Sequence, residues 1–508
     1  MCPLNSWTDG GAGNRACSRL SGGSPNTLIA DSFPRHYSGV RIPVLHRFLC
    51  RVGLWPALLL FSAISCLAQT APPNPLTLAQ AVDLASKNYP SIRVSQERMN
   101  AAAAGIRLAR TAWLPKIDAL AQENRATRNN VFGLILPQSV IPSMSGPVLG
   151  SNNTGTVWGS ALGGLVTWEP FDFGLREANV ATAEAARAQS EATLKRSQFE
   201  VAAATVDSWL TLAASRELVR AAQAGTDRAE AILRTTRALT DAELRPGADA
   251  SRAEAELAAA RTQVVQSRQA VEVARATLAQ FIGGEPDQIT ISAAALLNLP
   301  PNPSPAPTDF KSNPVVLEQN AVIQQAQAQL KALERSYFPK FSVQGAVYAR
   351  GTGADVDGAR MGGFNGLAPT VQDFAVGFSV TFPVMDFAAT RAKEAVQSAN
   401  IRAQTAQADQ IVTELKARWN VALAQLRGAK DVAEITPVQV ASAHTALQQA
   451  TARYQSGLGT IDAVTEAQRL LTQAEIDDAL SHLAIWRALS GLATAAGDLR
   501  PFIAEVSQ

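Results

Sequence analysis

An unbroken seam of apolar and small residues is the feature that most constrains the fold of this chain. It runs from Ala388 to Tyr454 and steps by three and four residues without a slip. Such a heptad pattern predicts a long helix that supercoils left-handedly with its neighbours. A helix of about 65 residues is about 100 Å long, which exceeds the diameter of an ordinary domain. Pro437 lies inside the seam and predicts a kink or a local irregularity.

Two strands precede this helix and alternate in side-chain character along residues 341–350 and 374–382. Bulky apolar residues share one face, and small or polar residues such as Ser342 and Ser379 share the other. Alternation of this kind is typical of strands that lie between lipid and a watery lumen. For one such pair alone, an edge hairpin of a soluble sheet is the competing interpretation. The residues that we predict to face lipid are Phe341, Val343, Val347, Phe374, Val376, Phe378, Val380 and Phe382.

The same series of landmarks occurs twice along the chain, which predicts an internal duplication. The series is a proline that opens a helix, a proline that ends it, an aspartate between strand and long helix, and a turn that contains glycine. In the first half these residues are Pro90, Pro115, Asp172 and Gly247, followed by Asp249. In the second half they are Pro314, Pro339, Asp386 and Gly457, followed by Asp462.

Each half therefore reads helix, strand, loop, strand, long helix, turn and shorter helix. The first-half strands are expected at Ile117 to about Arg125 and at Val157 to Trp168. The opening and returning helices, stacked end to end, match the length of one long helix. We predict one repeat at residues 76–299, a Pro-rich linker at 300–309 and a second repeat at 310–499.

The N-terminal region reads as a secretory signal peptide over residues 46–68. Basic residues precede a short apolar run, and small residues follow it, in the order that such signals require. The run is too short for a membrane span. We interpret residues 1–45 as a non-native extension upstream of the true start, because a signal peptide should begin at the terminus. Two forms of processing stay open, which are cleavage after Ala68 and lipidation of Cys66.

Composition argues against several classes of function. The net charge of the 508 residues is +2, so no strong field points to nucleic acid. No residue after Cys66 is a cysteine, which suits an oxidising compartment. His444 and His482 lie far apart without a second ligand at metal spacing, and we interpret them as surface or seam residues. We therefore expect no enzyme activity, no metal and no cofactor.

Four membrane strands cannot exist alone. Open sheet edges do not face hydrocarbon, because each unpaired backbone group there costs several kcal/mol. Four strands are too few to close a barrel, for which about eight are the practical minimum. The chain must therefore associate, as a dimer with eight strands or as a trimer with twelve. The predicted fold class is mainly α-helical with transmembrane β-strands, in two tandem repeats of a β-hairpin and long antiparallel coiled-coil helices.

Several short features occur in a fixed order along the chain. They are Leu76-Thr77-Leu78-Ala79-Gln80-Ala81, the Pro-Lys joints, Asp172 and Asp386 with Arg176 and Arg391 after them, and Tyr454-Gln455-Ser456-Gly457 followed by Glu466-Ala467-Gln468. With these features the chain resembles the TolC-like outer-membrane efflux family from about Leu76 to Leu499. The resemblance implies a homotrimer, a 12-stranded barrel and a helical tunnel across the periplasm. It also implies docking to a periplasmic adaptor, or membrane fusion protein, and to an inner-membrane pump. Many members of the family are lipoproteins, which bears on Cys66.

The resemblance also points to the two helix turns as a periplasmic entrance. In the family these turns are held shut by hydrogen bonds and ion pairs, and Tyr454 matches a gate tyrosine. A gate arginine of some members aligns with Gly459, so that link is absent or replaced here. Asp249 and Asp462 could form rings of charge in a trimer, or could only cap the returning helices. The predicted gate residues are Arg245, Gly247, Asp249, Tyr454, Gly457 and Asp462.

Two function classes follow from these observations. The first is an outer-membrane channel of a tripartite efflux or type I secretion system, acting as a passive export duct. The alternative is a periplasmic coiled-coil adaptor or scaffold, which would not need alternating lipid-facing strands or a proline at each joint. The exported substrate is left open between drugs, metal ions, small toxins and polypeptides.

Overall fold

The structure, a computed structural model, describes residues 75–127, 155–292, 296, 300, 309–355 and 359–506. The predicted extension, the signal peptide and Cys66 lie outside these residues, as do most of the first strand-to-strand loop and most of the Pro-rich linker. The described residues all fall in one compact unit, Thr70–Gln508. Among them, no helix combines the length and the apolar character that a membrane crossing needs.

The described chain is mainly helical, with one small antiparallel sheet. Its helices and strands are, in order, α1 (Leu78–Asn88), α2 (Pro90–Thr111), β1 (Lys116–Thr127), β2 (Thr156–Phe171), α3 (Leu175–Asp241), α4 (Gly247–Ile282), α5 (Pro314–Arg335), β3 (Lys340–Thr352), β4 (Val371–Thr381), α6 (Phe387–Gln455), α7 (Ile461–Ala496) and α8 (Arg500–Val506). The two longest helices, α3 and α6, have 67 and 69 residues. Each is therefore about 100 Å long. Pro437 lies within α6 and does not end it.

The sheet has four strands in the order β1-β2-β3-β4, and every neighbouring pair is antiparallel. The central pair, β2 and β3, joins the first half of the chain to the second. On one face of the sheet, Tyr348 packs against Ala161 and Ala346. Gly163 makes this packing possible, because an added Cβ there would lie 2.3 Å from the Cβ of Tyr348. The strands β1 and β4 are left as the two edges.

The first joint from strand to helix is held by a buried ion pair. The carboxylate of Asp172 accepts hydrogen bonds from the backbone N–H of Arg176 at 2.7 Å and from its Nε at 3.0 Å. The Arg176 guanidinium also lies over the Trp113 ring, 4.3 Å from its centroid. Both charged side chains are buried, so each needs the other to offset the cost of leaving water. The pair fixes the direction in which α3 leaves the sheet.

Two asparagines tie the returning helices to the opening helices. Asn88 Nδ2 donates to the carbonyl of Ile282 at the end of α4, at 2.7 Å. Asn313, fully buried, donates to the carbonyl of Ala495 at the end of α7, at 3.0 Å. Each bond satisfies a carbonyl that has no partner inside its own helix. As a result α4 meets the start of α2, and α7 meets the start of α5, as the predicted end-to-end stacking requires.

From the strand-to-helix joints onward, corresponding landmarks of the two halves keep one constant separation in sequence, which is shorter than the separation of the paired prolines before the joints. The pairs are Asp172 and Asp386, Glu243 and Gly457, Gly247 and Ile461, and Gly283 and Gly497. By this separation Asp249 corresponds to Ala463, so the sequence-based pairing of Asp249 with Asp462 is wrong by one residue. The sequence-based pairing matched the two aspartates because they are the same residue type. The geometry of the turns instead sets which residues of the two halves correspond.

Both helix turns have the same backbone form but different residues at the critical position. In the second turn, Leu458 N donates to the Arg453 carbonyl at 2.9 Å, and Gly457 has a φ of 84°. In the first turn, Leu244 N donates to the Leu239 carbonyl at 2.9 Å, and Glu243 has a φ of 57°. These are Schellman turns, which favour glycine at the left-handed position. Glu243 is therefore strained where Gly457 is not.

We predict that Glu243→Gly stabilises the helical region. Removing the left-handed strain gains about 1–2 kcal/mol, and the added freedom of the unfolded chain costs about 0.4–1 kcal/mol. The midpoint of thermal unfolding, followed by helical circular dichroism, should therefore rise. The matched control is Gly457→Glu, which should lower the same midpoint. A fall with Glu243→Gly would contradict the assigned strain.

Candidate functional site

The α3–α4 turn and the α6–α7 turn lie side by side at one end of the helical region, which we call the tip. A small apolar core joins them, and Tyr454 of α6 lies within it. The other buried members of this core are Ala229, Leu233, Ala253, Leu257, Ile461 and Val464. The tip therefore brings together the two turns that the sequence predicts as the entrance.

Tyr454 is held by two residues of the other half of the chain. Its side chain is only 2% exposed, and its hydroxyl donates to Oδ2 of Asp249 at 2.9 Å. Arg245 Nη2 donates to the backbone carbonyl of Tyr454, and the guanidinium lies over the ring at 4.5 Å from its centroid. These contacts join three of the predicted gate residues into one cluster, which we call the tip lock.

The surroundings of Tyr454 keep its hydroxyl protonated. Burial raises the pKa of Tyr454 above its ordinary value of 10.0, and the hydrogen bond to the Asp249 carboxylate raises it further. The Thr236 hydroxyl and the Arg245 charge act in the opposite direction and do not reverse the shift. Because the pKa is raised, the stabilisation by the neutral phenol is complete below pH 10.0 and is lost only as the pH rises through the shifted pKa.

The two predicted charge-ring residues have partners within the chain. Asp462 lies 3.1 Å from Nη2 of Arg252 in α4, and both side chains are more than half exposed. Neither Asp462 nor Asp249 is the N-cap residue, because Thr460 caps α7 and Pro246 precedes α4. The capping interpretation is therefore wrong in its strict form, although both acids lie in the first turn of a helix, where negative charge is favourable.

The two predicted turn glycines differ in what they do. Gly457 adopts the left-handed conformation that ends α6. Gly247 is the first residue of α4, and a Cβ added there would meet no atom within 4 Å. Its role as the turn residue is therefore wrong, since Glu243 occupies the left-handed position. The sequence pattern paired Gly247 with Gly457 because each is a glycine in the break before a returning helix.

Further polar contacts between α3 and α7 were missed by the sequence analysis. Arg228 forms a two-pronged ion pair with Glu475, at 2.9 and 2.7 Å. Gln468 is buried and donates to the carbonyl of Gly225 at 3.0 Å. The partners lie far apart in the chain, so no fixed spacing could have shown them. At exposed sites, Glu254 pairs with Arg237 and Arg261 pairs with Glu230.

The predicted lipid-facing residues lie on one face of the sheet. The paired positions include Phe341 with Val380, Val343 with Phe378, and Val347 with Phe374. The exposed side chains among them are Val347, Phe374, Val376, Phe378, Val380 and Phe382, and Phe341 and Val343 are half-buried. On the opposite face Ser342 Oγ lies 2.6 Å from Ser379 Oγ. One boundary is wrong, because β4 ends at Thr381 and Phe382 follows it.

Exposed apolar side chains continue onto the first two strands, where sequence alternation was weak. They are Ile117, Leu162, Val166 and Trp168. Ile117 pairs with Val166, which in turn pairs with Gly345. Glycines at several neighbouring positions interrupt the pattern in the sequence and hid this part of the apolar face. In the part of the chain that the structure describes, no group of three or more His, Cys, Asp or Glu side chains is placed to hold a metal.

Comparison with known proteins agrees with this architecture. The family model described as "Outer membrane efflux protein" matches residues 81–284 and 310–498. The cobalt-zinc-cadmium resistance protein CzcC of Cupriavidus metallidurans is 23% identical over 411 residues, which cover 79% of this chain and 85% of that protein.

Solved structures show the same fold. The CmeC outer membrane channel of Campylobacter jejuni is 16% identical with a TM-score of 0.66, covering 85% of this chain and 89% of that one. The outer-membrane channel OprN is 20% identical with a TM-score of 0.65, covering 83% of this chain and 89% of that one. Because the family model matches both halves and most of the chain, this protein belongs to the outer membrane efflux protein family.

Proposed function

We propose that three copies of this efflux protein form one passive export duct with a 12-stranded barrel. The observation that carries the proposal is a four-stranded sheet with two unpaired edge strands, β1 and β4, and an apolar outer face. In a bilayer both edges must be paired, because unpaired backbone groups in hydrocarbon are too costly. Pairing β4 of one copy with β1 of the next removes every edge.

Twelve strands fit a duct better than eight. A barrel of eight strands has an interior that side chains fill, whereas larger barrels leave an aqueous channel. The inner face of this sheet carries polar groups such as Arg350 and Asp373, which form an ion pair at 3.1 Å. An inner face of this kind suits a watery lumen, and the outer face with Phe374 and Phe378 suits lipid.

Residues 76–299 and 310–499 act in this proposal as two tandem repeats of one ancestral unit. The constant separation of corresponding landmarks supports the duplication. Each repeat supplies one strand pair to the barrel and one long helical hairpin to a tunnel. With α3 and α6 each about 100 Å long, the tunnel can extend across the periplasm.

The tip is the closed periplasmic entrance of this duct. The tip lock of Arg245, Tyr454 and Asp249 holds the α6–α7 turn against the α3–α4 turn. Arg245, from the first half of the chain, contacts the carbonyl and the ring of Tyr454. In this proposal it replaces the gate arginine that is absent at Gly459. Asp462 and Asp249 add negative charge close to the opening, which favours passage of cations.

The duct works with a periplasmic adaptor and an inner-membrane pump, in a tripartite efflux or type I secretion system. Family membership supports this arrangement, and so does a groove between α4 and α7 of about 540 Å³. Small residues such as Ala259 and Ala260 line it, together with Leu470 and Ile476, so that an adaptor helix can approach closely. Export through the signal peptide at 46–68, with Cys66 as a lipidation site, would anchor the mature chain at the outer membrane.

Native mass spectrometry of the detergent-solubilised protein tests the assembly. We expect a species with the mass of three mature chains. A stable dimer, or a species that stays monomeric at every protein concentration tested, would contradict the 12-stranded barrel. Membrane fractionation gives a second measurement, since a barrel stays with the outer membrane after a salt wash and a peripheral scaffold is released.

A pair of arginine substitutions at neighbouring positions of β4 tests which face meets lipid. Phe378→Arg should impair membrane assembly, because an arginine at the bilayer midplane on the lipid face costs about 2–4 kcal/mol. Ser379→Arg places the same charge on the opposite face and should assemble with altered conductance. Heat-resistant oligomer on gels and planar-bilayer recordings provide the measurements. Equal assembly of the two variants would show that the assignment of faces is incorrect.

Removal of the Tyr454 hydroxyl tests the tip lock. Tyr454→Phe keeps the buried ring and loses only the bond to Asp249, with a typical value of about 0.5–1.5 kcal/mol in each copy. We expect higher conductance or longer open time in planar bilayers, with unchanged oligomer stability. Tyr337→Phe is the control, because that hydroxyl bonds Glu394 near the sheet, far along the chain from the turns. Unchanged gating in Tyr454→Phe would mean that this residue serves packing alone.

A further inference from the structure

A cavity of about 350 Å³ lies between α3, α4 and the segment that follows α4, well away from the tip. On each helix the lining residues lie one and two turns apart, and the residues of α3 face those of α4 across the cavity. We call it the basic pocket and define it by Leu212, Arg216, Val219, Arg268, Val271 and Arg275. The proposed export duct does not use it.

Positive charge dominates the basic pocket. Among the described residues that line it, three carry guanidinium groups and one, Glu272, carries a carboxylate. This carboxylate accepts both of its bonds from one atom, Arg275 Nη1, at 2.9 and 3.0 Å. Arg216 Nη1 donates to the carbonyl of Ile291 at 2.7 Å, and Arg268 makes only a long contact of 3.5 Å with Gln223. The nearby Glu217 is paired with Arg220 at 3.0 Å, so it does not offset the excess.

One donor of an arginine that lines the pocket lacks a partner. The Nε atom of Arg275 is buried and has no hydrogen-bond acceptor within the described part of the chain. The Arg275 side chain is 23% exposed, whereas Arg216 and Arg268 are exposed. A buried donor on a charged group is costly when it is unpaired, and an anionic acceptor would satisfy it. The pocket lining thus combines two exposed arginines with one partly buried arginine.

The corresponding positions of the second half do not repeat this cluster. By the constant separation of landmarks, Arg216, Arg268 and Arg275 correspond to Lys430, His482 and Leu489. Leu489 is buried in the main hydrophobic core, which also includes Phe502 and Val506 of α8. A helical hairpin of this type therefore does not need three arginines at these positions. The cluster is a property of the first half alone, which favours a binding role over a general role in helix packing.

We propose that the basic pocket binds a small organic oxyanion, a carboxylate or phosphate attached to a compact apolar body. The guanidinium groups of Arg268 and Arg275 present forked donors that match such oxygens. The apolar body would lie against Leu212 and Val271, which are both buried. A few polar groups on apolar walls is the usual composition of a ligand pocket. A bound anion would link α3 and α4 to the segment at Ile291 and so reduce the relative motion of these three parts.

Isothermal titration calorimetry on the full-length protein in detergent tests the proposal, with phenyl phosphate, benzoate and neutral benzyl alcohol as probes. Saturable binding of at least one of the two anions, weakened by added salt, and no binding of the alcohol are expected. Arg268→Gln and Arg275→Gln should each weaken binding by about tenfold or more. The control is Arg261→Gln, which removes an exposed arginine of the same helix, paired with Glu230 at 2.8 Å, and should leave binding unchanged.

Helical circular dichroism and oligomer mass establish that each variant is folded. Because Arg268 is exposed, its variant keeps the test valid even if Arg275→Gln disturbs packing. Equal affinity of the wild type and folded Arg268→Gln, or absence of anion binding to the wild type, would overturn the proposal. Bilayer conductance is a separate readout of the duct, so the failure of one proposal leaves the other intact.

Discussion

Unpaired backbone at the two edges of a four-stranded sheet is the constraint on which the rest of this protein depends. β1 and β4 each present a row of N–H and C=O groups with no neighbouring strand in the part of the chain that the structure describes. Hydrocarbon cannot satisfy these groups, which is why the proposed duct draws the remaining strands of its barrel from other copies. The face that is rich in exposed phenylalanine and valine would meet lipid in the proposed barrel. In this proposal a single chain has a helical core of its own but supplies only four of the twelve barrel strands.

The two joints between sheet and long helix differ in how their charged residues are held. At the first joint, Asp172 and Arg176 form a buried pair under Trp113, which fixes α3 within one copy. At the second joint, Asp386 and Arg391 are exposed, and the Arg391 guanidinium lies over Phe387 at 4.5 Å. The first joint is thus completed by its own chain. The second, next to the edge strand β4, is left open on the side where a neighbouring copy would be.

Sequence patterns predicted the parts of the fold that depend on local periodicity. The heptad seam to Tyr454 anticipated α6, and the period-two alternation anticipated β3 and β4, because each pattern reports one face of one element. The register of the tip was missed by one residue, since acidic side chains at Asp249 and Asp462 suggested an equivalence that the turns do not keep. Contacts such as Arg228 with Glu475 could not be predicted, because the two residues lie 247 positions apart in the sequence.

The tip lock lies entirely within one chain, since Arg245 and Asp249 belong to the first half and Tyr454 to the second. In the proposed trimer there are then three separate locks, none of which needs a residue from a neighbour. Each copy can release its α6–α7 turn while the other two stay closed. An entrance built in this way has partly open substates of graded width, so a pump that engages one copy at a time would widen it in steps.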